Sequence, residues 1–145
     1  MGKTNENKIR EATERSVENI YPNKEALVRV LKSGRKLRIY NGIDPTGKLH
    51  IGHSVVLNKL RQFQELGHEI IILIGDFTGM VGDPTDKLAT RKPLTRKQIL
   101  ENAKDYKKLI GKILDSQKTK FKFNSEWLCK MIFTELIKLA SEFTV

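Results

Sequence analysis

Only one cysteine, Cys129, occurs in the 145 residues, so no disulfide can close within the chain. That usage fits a reducing compartment, and a cytoplasmic location is expected. Long apolar runs are also missing. The longest strongly apolar stretch, Ile70 to Ile74, falls far short of the roughly 20 residues a membrane helix needs, so no membrane partner is expected. The opening Met1-Gly2-Lys3-Thr4-Asn5-Glu6 has no apolar core and is not expected to act as a secretory signal. Internal repeats and low-complexity segments are absent. Acidic residues are in the minority, 17 against 27 basic, for a net charge of +10. That balance suits a polyanionic partner, though a solvated lysine-rich surface gives the same count. Much of the excess lies in Lys104, Lys107, Lys108, Lys112, Lys118, Lys120 and Lys122. Tyr106, Leu109 and Ile110 interrupt it, as on the wet face of a helix.

The most informative stretch is Ile39-Tyr40-Asn41-Gly42-Ile43-Asp44-Pro45-Thr46-Gly47-Lys48-Leu49-His50-Ile51-Gly52-His53. A short β-branched and aromatic run ends in turn residues that open onto an amphipathic helix. His50 and His53, three apart, share one face of its first turn. There, unpaired backbone N–H groups and the positive end of the helix dipole favour phosphate. Gly52 would let a flat ligand approach the backbone. Two patterns compete for this stretch. Gly42 to Lys48 has phosphate-loop spacing, but that loop needs Ser or Thr next, and Leu49 stands there. The other is the His-Ile-Gly-His signature of class I aminoacyl-tRNA synthetases, matched without a gap. In a third reading the two histidines only cap or pack a helix.

A second cluster follows. Glu69 to Ile74 reads as a buried strand, then comes Gly75-Asp76-Phe77-Thr78-Gly79-Met80-Val81-Gly82-Asp83-Pro84-Thr85-Asp86-Lys87. With Tyr40 to His53 and Phe63-Gln64-Glu65-Leu66-Gly67-His68, this resembles the N-terminal half of bacterial-type tyrosyl-tRNA synthetases. The likeness runs from about Tyr40 to the last residue. Many family members carry one more residue between the threonine and the first histidine.

The resemblance implies ATP-dependent activation of L-tyrosine to tyrosyl-adenylate and transfer to tRNA(Tyr), with Mg2+ carried by the ATP. The catalytic positions it implies are Thr46, His50, His53, Lys87 and Arg91, the last two holding the leaving pyrophosphate from a loop bracketed by Pro84 and Pro93. Those for ATP are Gly42, Asp44, Pro45, Thr46, His50, Gly52 and His53; those for tyrosine are Tyr40, Thr78, Asp83 and Asn124. Read bottom-up, Asp83 also fits a plain Asp-Pro turn and Tyr40 a packed aromatic. Trp127 is expected in the core. The resemblance also implies a homodimer in the full-length protein. Nothing here resembles the family's second signature, Lys-Met-Ser-Lys-Ser, so little or no activity is expected of this chain alone. A tryptophanyl enzyme of the same class, or a non-enzymatic half-domain that binds nucleotide or a partner chain, are the alternatives.

The fold expected is α/β: the first half of a class I synthetase Rossmann-type parallel sheet, preceded by two short N-terminal helices. The division is a helical extension over 1–35 and half a catalytic domain over 36–145, with the C-terminal half and anticodon-binding domain absent. Helices are predicted from Thr4 to Ile20, Lys24 to Lys32 (with Gly34 as its stop) and about His50 to Leu66, the last with Val56, Leu60 and Phe63 on one face. Thr95 to Gln98 is a capping box opening a helix with Ile99, Ala103, Tyr106, Ile110 and Ile113 inward. Ser125 should cap a last helix with Leu128, Ile132, Leu136, Leu139 and Phe143 inward. Strands are predicted at Lys36 to Asn41, Glu69 to Ile74 and Phe121 to Phe123. His68 is expected at the surface or as a helix cap. In such sheets ligands bind beyond the carboxyl ends of the strands, at the switch point where strand order reverses. Both motifs would fall on that rim, and the first strand would be left with an open edge.

Overall fold

The computed structural model describes residues 3–81 and 94–143. Its helices are α1 (Lys3–Glu14), α2 (Lys24–Lys32), α3 (Ile51–Glu65), α4 (Thr78–Val81), α5 (Arg96–Ile110), α6 (Ser125–Leu128) and α7 (Phe133–Ser141); its strands are β1 (Arg38–Ile43), β2 (Glu69–Ile74) and β3 (Thr119–Phe123). The strands form a parallel sheet in the order β1-β2-β3. Among the described residues the order follows the sequence without reversal, so the expected switch point is not seen there.

Side-chain alternation gives the sheet two unlike faces. Ile70, Ile72 and Ile74 of β2 point into one core with Leu57 and Leu60 of α3 and Ala103, Tyr106 and Ile110 of α5. Ile39, Ile43, Phe121 and Phe123 flank them, so both crossover helices cover the same face. The opposite face carries Arg38, Tyr40, Glu69, Leu73, Lys120 and Lys122. There Glu69 reaches Arg38 at 3.6 Å and Lys120 at 3.2 Å.

Several boundaries differ from the sequence reading for local reasons. α1 stops at Glu14, short of Ile20, and Ser16 adopts a left-handed φ of 52° that no helix continues. α2 is as expected, with Asn23 accepting from the Ala26 N–H at 2.8 Å and Gly34 past its end at φ +76°. β1 runs two residues past Asn41, because the Gly42 and Ile43 backbone pairs with Leu73 and Ile74. On α3 the buried residues are Leu57, Leu60 and Gln64, while Val56 is exposed. The predicted capping box of α5 is present: Thr95 Oγ1 accepts from Gln98 N–H, and Gln98 Oε1 from Thr95 N–H.

The chain's end departs most. The single helix expected after Ser125 is two, α6 and α7, and Asn124, not Ser125, occupies the N-cap position. Ile132, Leu136, Leu139 and Phe143 are exposed, as is Trp127. Helical periodicity identifies an apolar face but not what covers it.

His68, expected at the surface or as a helix cap, is buried and caps: its N–H bonds Phe63 O at 3.1 Å past the end of α3, and its Nδ1 accepts the Leu37 N–H at 3.4 Å. The ring proton therefore sits on Nε2, and burial pushes the pKa below the ordinary imidazole value. A depressed folded pKa means His68 favours folding fully above the unfolded value, about 6.5, and progressively less as pH falls below it. Wild-type stability in urea should thus decline as pH falls below about 6.5, and His68→Leu should flatten that decline. An undiminished slope in the variant would assign it to other groups.

Candidate functional site

The register places the site. Ile43, Ile74 and Phe123 lie on one rung, so the next residues, Asp44, Gly75 and Asn124, leave the sheet side by side. Two more ladder bonds, Gly75 N–H to Ile43 O and Asn124 N–H to Ile74 O, both 3.0 Å, carry the pairing to the rim. There Thr78 Oγ1 donates to Asp44 Oδ1 at 2.8 Å and accepts from Asn124 Nδ2 at 3.0 Å. Asn124 Oδ1 accepts the Phe77 N–H at 2.9 Å. One polar chain thus crosses all three strand ends. Gly75 is enclosed by it: an added Cβ would lie 1.6 Å from Asp44 Oδ1. Beneath, buried Asp76 accepts from the Ser125 N–H at 3.0 Å and hydroxyl at 2.6 Å, fixing the start of α6 against the turn after β2.

From the same rim the chain enters α3 through residues 44–50. Pro45 is fully buried, and Thr46 N–H bonds back to Asp44 O at 2.8 Å, a tight turn. His50 is the N-cap rather than a helical residue. Its Nδ1 accepts the Gly52 N–H, and His53 Nδ1 accepts the His50 N–H, each at 3.2 Å. Both Nδ1 atoms being acceptors, each neutral ring carries its proton on Nε2. The rings lie 4.1 Å apart, centroid to centroid. Gly52 makes this possible, because a Cβ there would sit 2.9 Å from His50 Cε1. A side chain at position 52 would therefore push the His50 ring aside as well as crowd a ligand. Capping and donation coexist, with Nδ1 serving the helix and Nε2–H left for another partner.

The structure therefore brings Asp44, Thr78 and Asn124 into direct contact and sets His50 beside His53 at the helix N-terminus. Tyr40 lies apart from them, 71% exposed on the open face of β1. Asp83, Lys87 and Arg91 fall outside the described residues. Gly75, Asp76 and Ser125 were not singled out from the sequence as site residues. Asp76 and Ser125 carry a recognisable signal, an acid just past a strand end and a hydroxyl just past the next strand; Gly75 becomes legible only through its neighbours' side chains.

The family model for class I tRNA synthetases (W and Y) matches residues 32–145. A tyrosine–tRNA ligase of Carboxydothermus hydrogenoformans is 54% identical over 139 residues, 93% of this chain and 34% of that protein. That of Haemophilus influenzae is 60% identical over 120 residues, 82% of this chain and 30% of the relative. The crystal structure of the tyrosyl-tRNA synthetase of Archaeoglobus fulgidus, complexed with L-tyrosine, superposes with a TM-score of 0.75 at 29% identity, covering 96% of this chain and 41% of that one. The chain thus spans about a third of the length of the curated relatives it matches. With the family match covering most of its residues and these identities beside it, the chain belongs to the class I tRNA synthetases of the tryptophan and tyrosine group.

Proposed function

We propose that this chain carries the nucleotide side and part of the tyrosine side of a tyrosyl-tRNA synthetase. The observation that carries the reading is the single rim on which a polar chain across three strand ends meets a helix N-terminus where two histidines cap through Nδ1 and keep Nε2–H as a donor. In the reaction a tyrosine carboxylate oxygen attacks the α-phosphorus of ATP and the bond to pyrophosphate breaks. A tRNA hydroxyl then attacks the adenylate's carbonyl carbon, and AMP leaves. An ionised carboxylate needs no general base for the first step, so the protein works by positioning and charge stabilisation.

In this reading Thr46, His50 and His53 meet the phosphates and ribose. Gly42, Asp44, Pro45 and Gly52 shape the ATP-binding turn, and Lys87 and Arg91 hold the leaving pyrophosphate. Tyr40, Thr78, Asp83 and Asn124 recognise tyrosine, with Tyr40 meeting the substrate hydroxyl. Mg2+ arrives on the triphosphate, where it neutralises phosphate charge. Among the described residues no group of three or more His, Cys, Asp or Glu side chains forms a cage of its own. Residues 1–35 are the helical extension and 36–145 half of the catalytic domain. The exposed apolar face of α7 supports pairing with a second copy in the full-length protein. No described helix is long and apolar enough to cross a membrane, and the lone cysteine supports a cytoplasmic place of work.

Calorimetric titration with non-hydrolysable tyrosyl- and tryptophanyl-adenylate analogues tests the reading. The tyrosyl analogue should bind about tenfold tighter or better, since a site built to hydrogen-bond a hydroxyl discriminates strongly. Preference for the tryptophanyl analogue would move the chain to the sister activity. Binding of neither by folded protein would leave a half-domain without substrate recognition.

A further inference from the structure

The turn that delivers Thr46 and His50 is held from a distant part of the chain. Asn102 Nδ2 donates to Pro45 O at 2.8 Å, and Tyr106 Oη donates to Gly47 O at 2.8 Å. Both side chains belong to α5, four residues apart, and so lie one above the other on one helix face. The carbonyl of Thr46 lies between those of Pro45 and Gly47, and its side chain remains half-buried at the rim. On another side Gly79 backs the turn, with its missing Cβ 3.7 Å from both Pro45 Cδ and Thr46 Cγ2.

Neither donor is explained by the core alone. Tyr106 is buried, and phenylalanine would fill the same space. Asn102 sits in a helix interior, where asparagine is a poor helix former. Burial pushes the Tyr106 phenol above its ordinary pKa, so it stays protonated and able to donate throughout the neutral range.

We propose that Asn102 and Tyr106 are positioning residues for the nucleotide, clamping the turn at Pro45 and Gly47 so that Thr46 and His50 are set before ATP arrives. This rests on the nucleotide-binding reading above. The clamp lowers the ordering cost of binding, because a turn already fixed loses no further freedom when a ligand docks.

Tyr106→Phe and Asn102→Asp each remove one donor and keep the shape. Ile110→Val, in the same helix and core, removes no hydrogen bond to the turn and controls for lost packing. Each chain is titrated with MgATP, and amide hydrogen exchange is followed at residues 46–48 and in β2. Each donor variant should weaken MgATP binding about three- to tenfold and speed exchange at 46–48 while β2 stays protected. Ile110→Val should leave affinity within about twofold even where its melting temperature falls as far. Wild-type affinity in both donor variants would overturn the proposal, as would equal weakening by Ile110→Val. A wild-type chain that binds no MgATP would overturn the parent reading instead, and this role with it, whatever the exchange pattern.

Discussion

Replacing Gly75 by alanine should leave the sheet folded and break the site. The added Cβ would stand 1.6 Å from Asp44 Oδ1, 2.5 Å from Thr78 Oγ1 and 2.8 Å from Asp44 Cγ. Thermal motion cannot absorb overlaps of that size, so Asp44 must rotate away and give up its bond from Thr78. Gly75 has an ordinary negative φ, so the penalty is steric and not conformational. Overpacking of this kind costs about 1–3 kcal/mol, which urea denaturation can read. The effect on ligands should be larger, because Thr78 then loses its acceptor and its bond from Asn124 is free to shift. MgATP and a tyrosyl-adenylate analogue should each bind at least about tenfold more weakly.

A double-mutant cycle separates this mechanism from general damage. If Asp44 is what the methyl group strikes, Gly75→Ala should cost less in an Asp44→Ala background, with a coupling of about 0.5–3 kcal/mol. Strict additivity would show that the strain is released elsewhere, and unchanged affinity in Gly75→Ala that the polar chain is irrelevant to binding.

The same contacts show what a sequence can disclose. A continuous apolar run bounded by turn residues was enough to place β2 at Glu69–Ile74, because such a run is a local property of the sequence. The capping box at Thr95 was legible for the same reason: both partners lie within four residues. Bonds spanning Asn102 to Pro45, or Thr78 to Asp44, connect residues far apart in sequence and leave no periodic trace. Tyr106 illustrates the limit well. Its place on the apolar stripe was plain, but the stripe predicts the ring and says nothing of the hydroxyl. α7 failed in the opposite direction. Its apolar spacing was read as the inward stripe of one helix, yet the helix is broken before Phe133 and Leu136 and Phe143 are exposed.

The histidine pair allows capping and ligand binding to be separated by atom. Asparagine at position 53 would keep an acceptor in the place of Nδ1, one bond from Cγ, and would lose the Nε2–H. Glutamine at this N3 position can cap as well, its Oε1 accepting the N-cap N–H as Gln98 does in α5. His53→Asn should therefore retain helix stability while MgATP affinity falls by about 1.5–3 kcal/mol, the range for a hydrogen bond to a charged group, or roughly 10- to 150-fold. His53→Gln should likewise keep the fold as stable as wild type, because a capping-box glutamine serves the N-cap N–H from the same place. His50→Asn repeats the test at the N-cap, where asparagine is among the best residues, so the fold should be no less stable than wild type. Urea melts and calorimetric titration of the three variants read the two properties independently. Asparagine variants that bind MgATP as well as wild type would make the rings helix caps alone, and the phosphate contacts would then have to come from Thr46 and the open N–H groups at the start of α3.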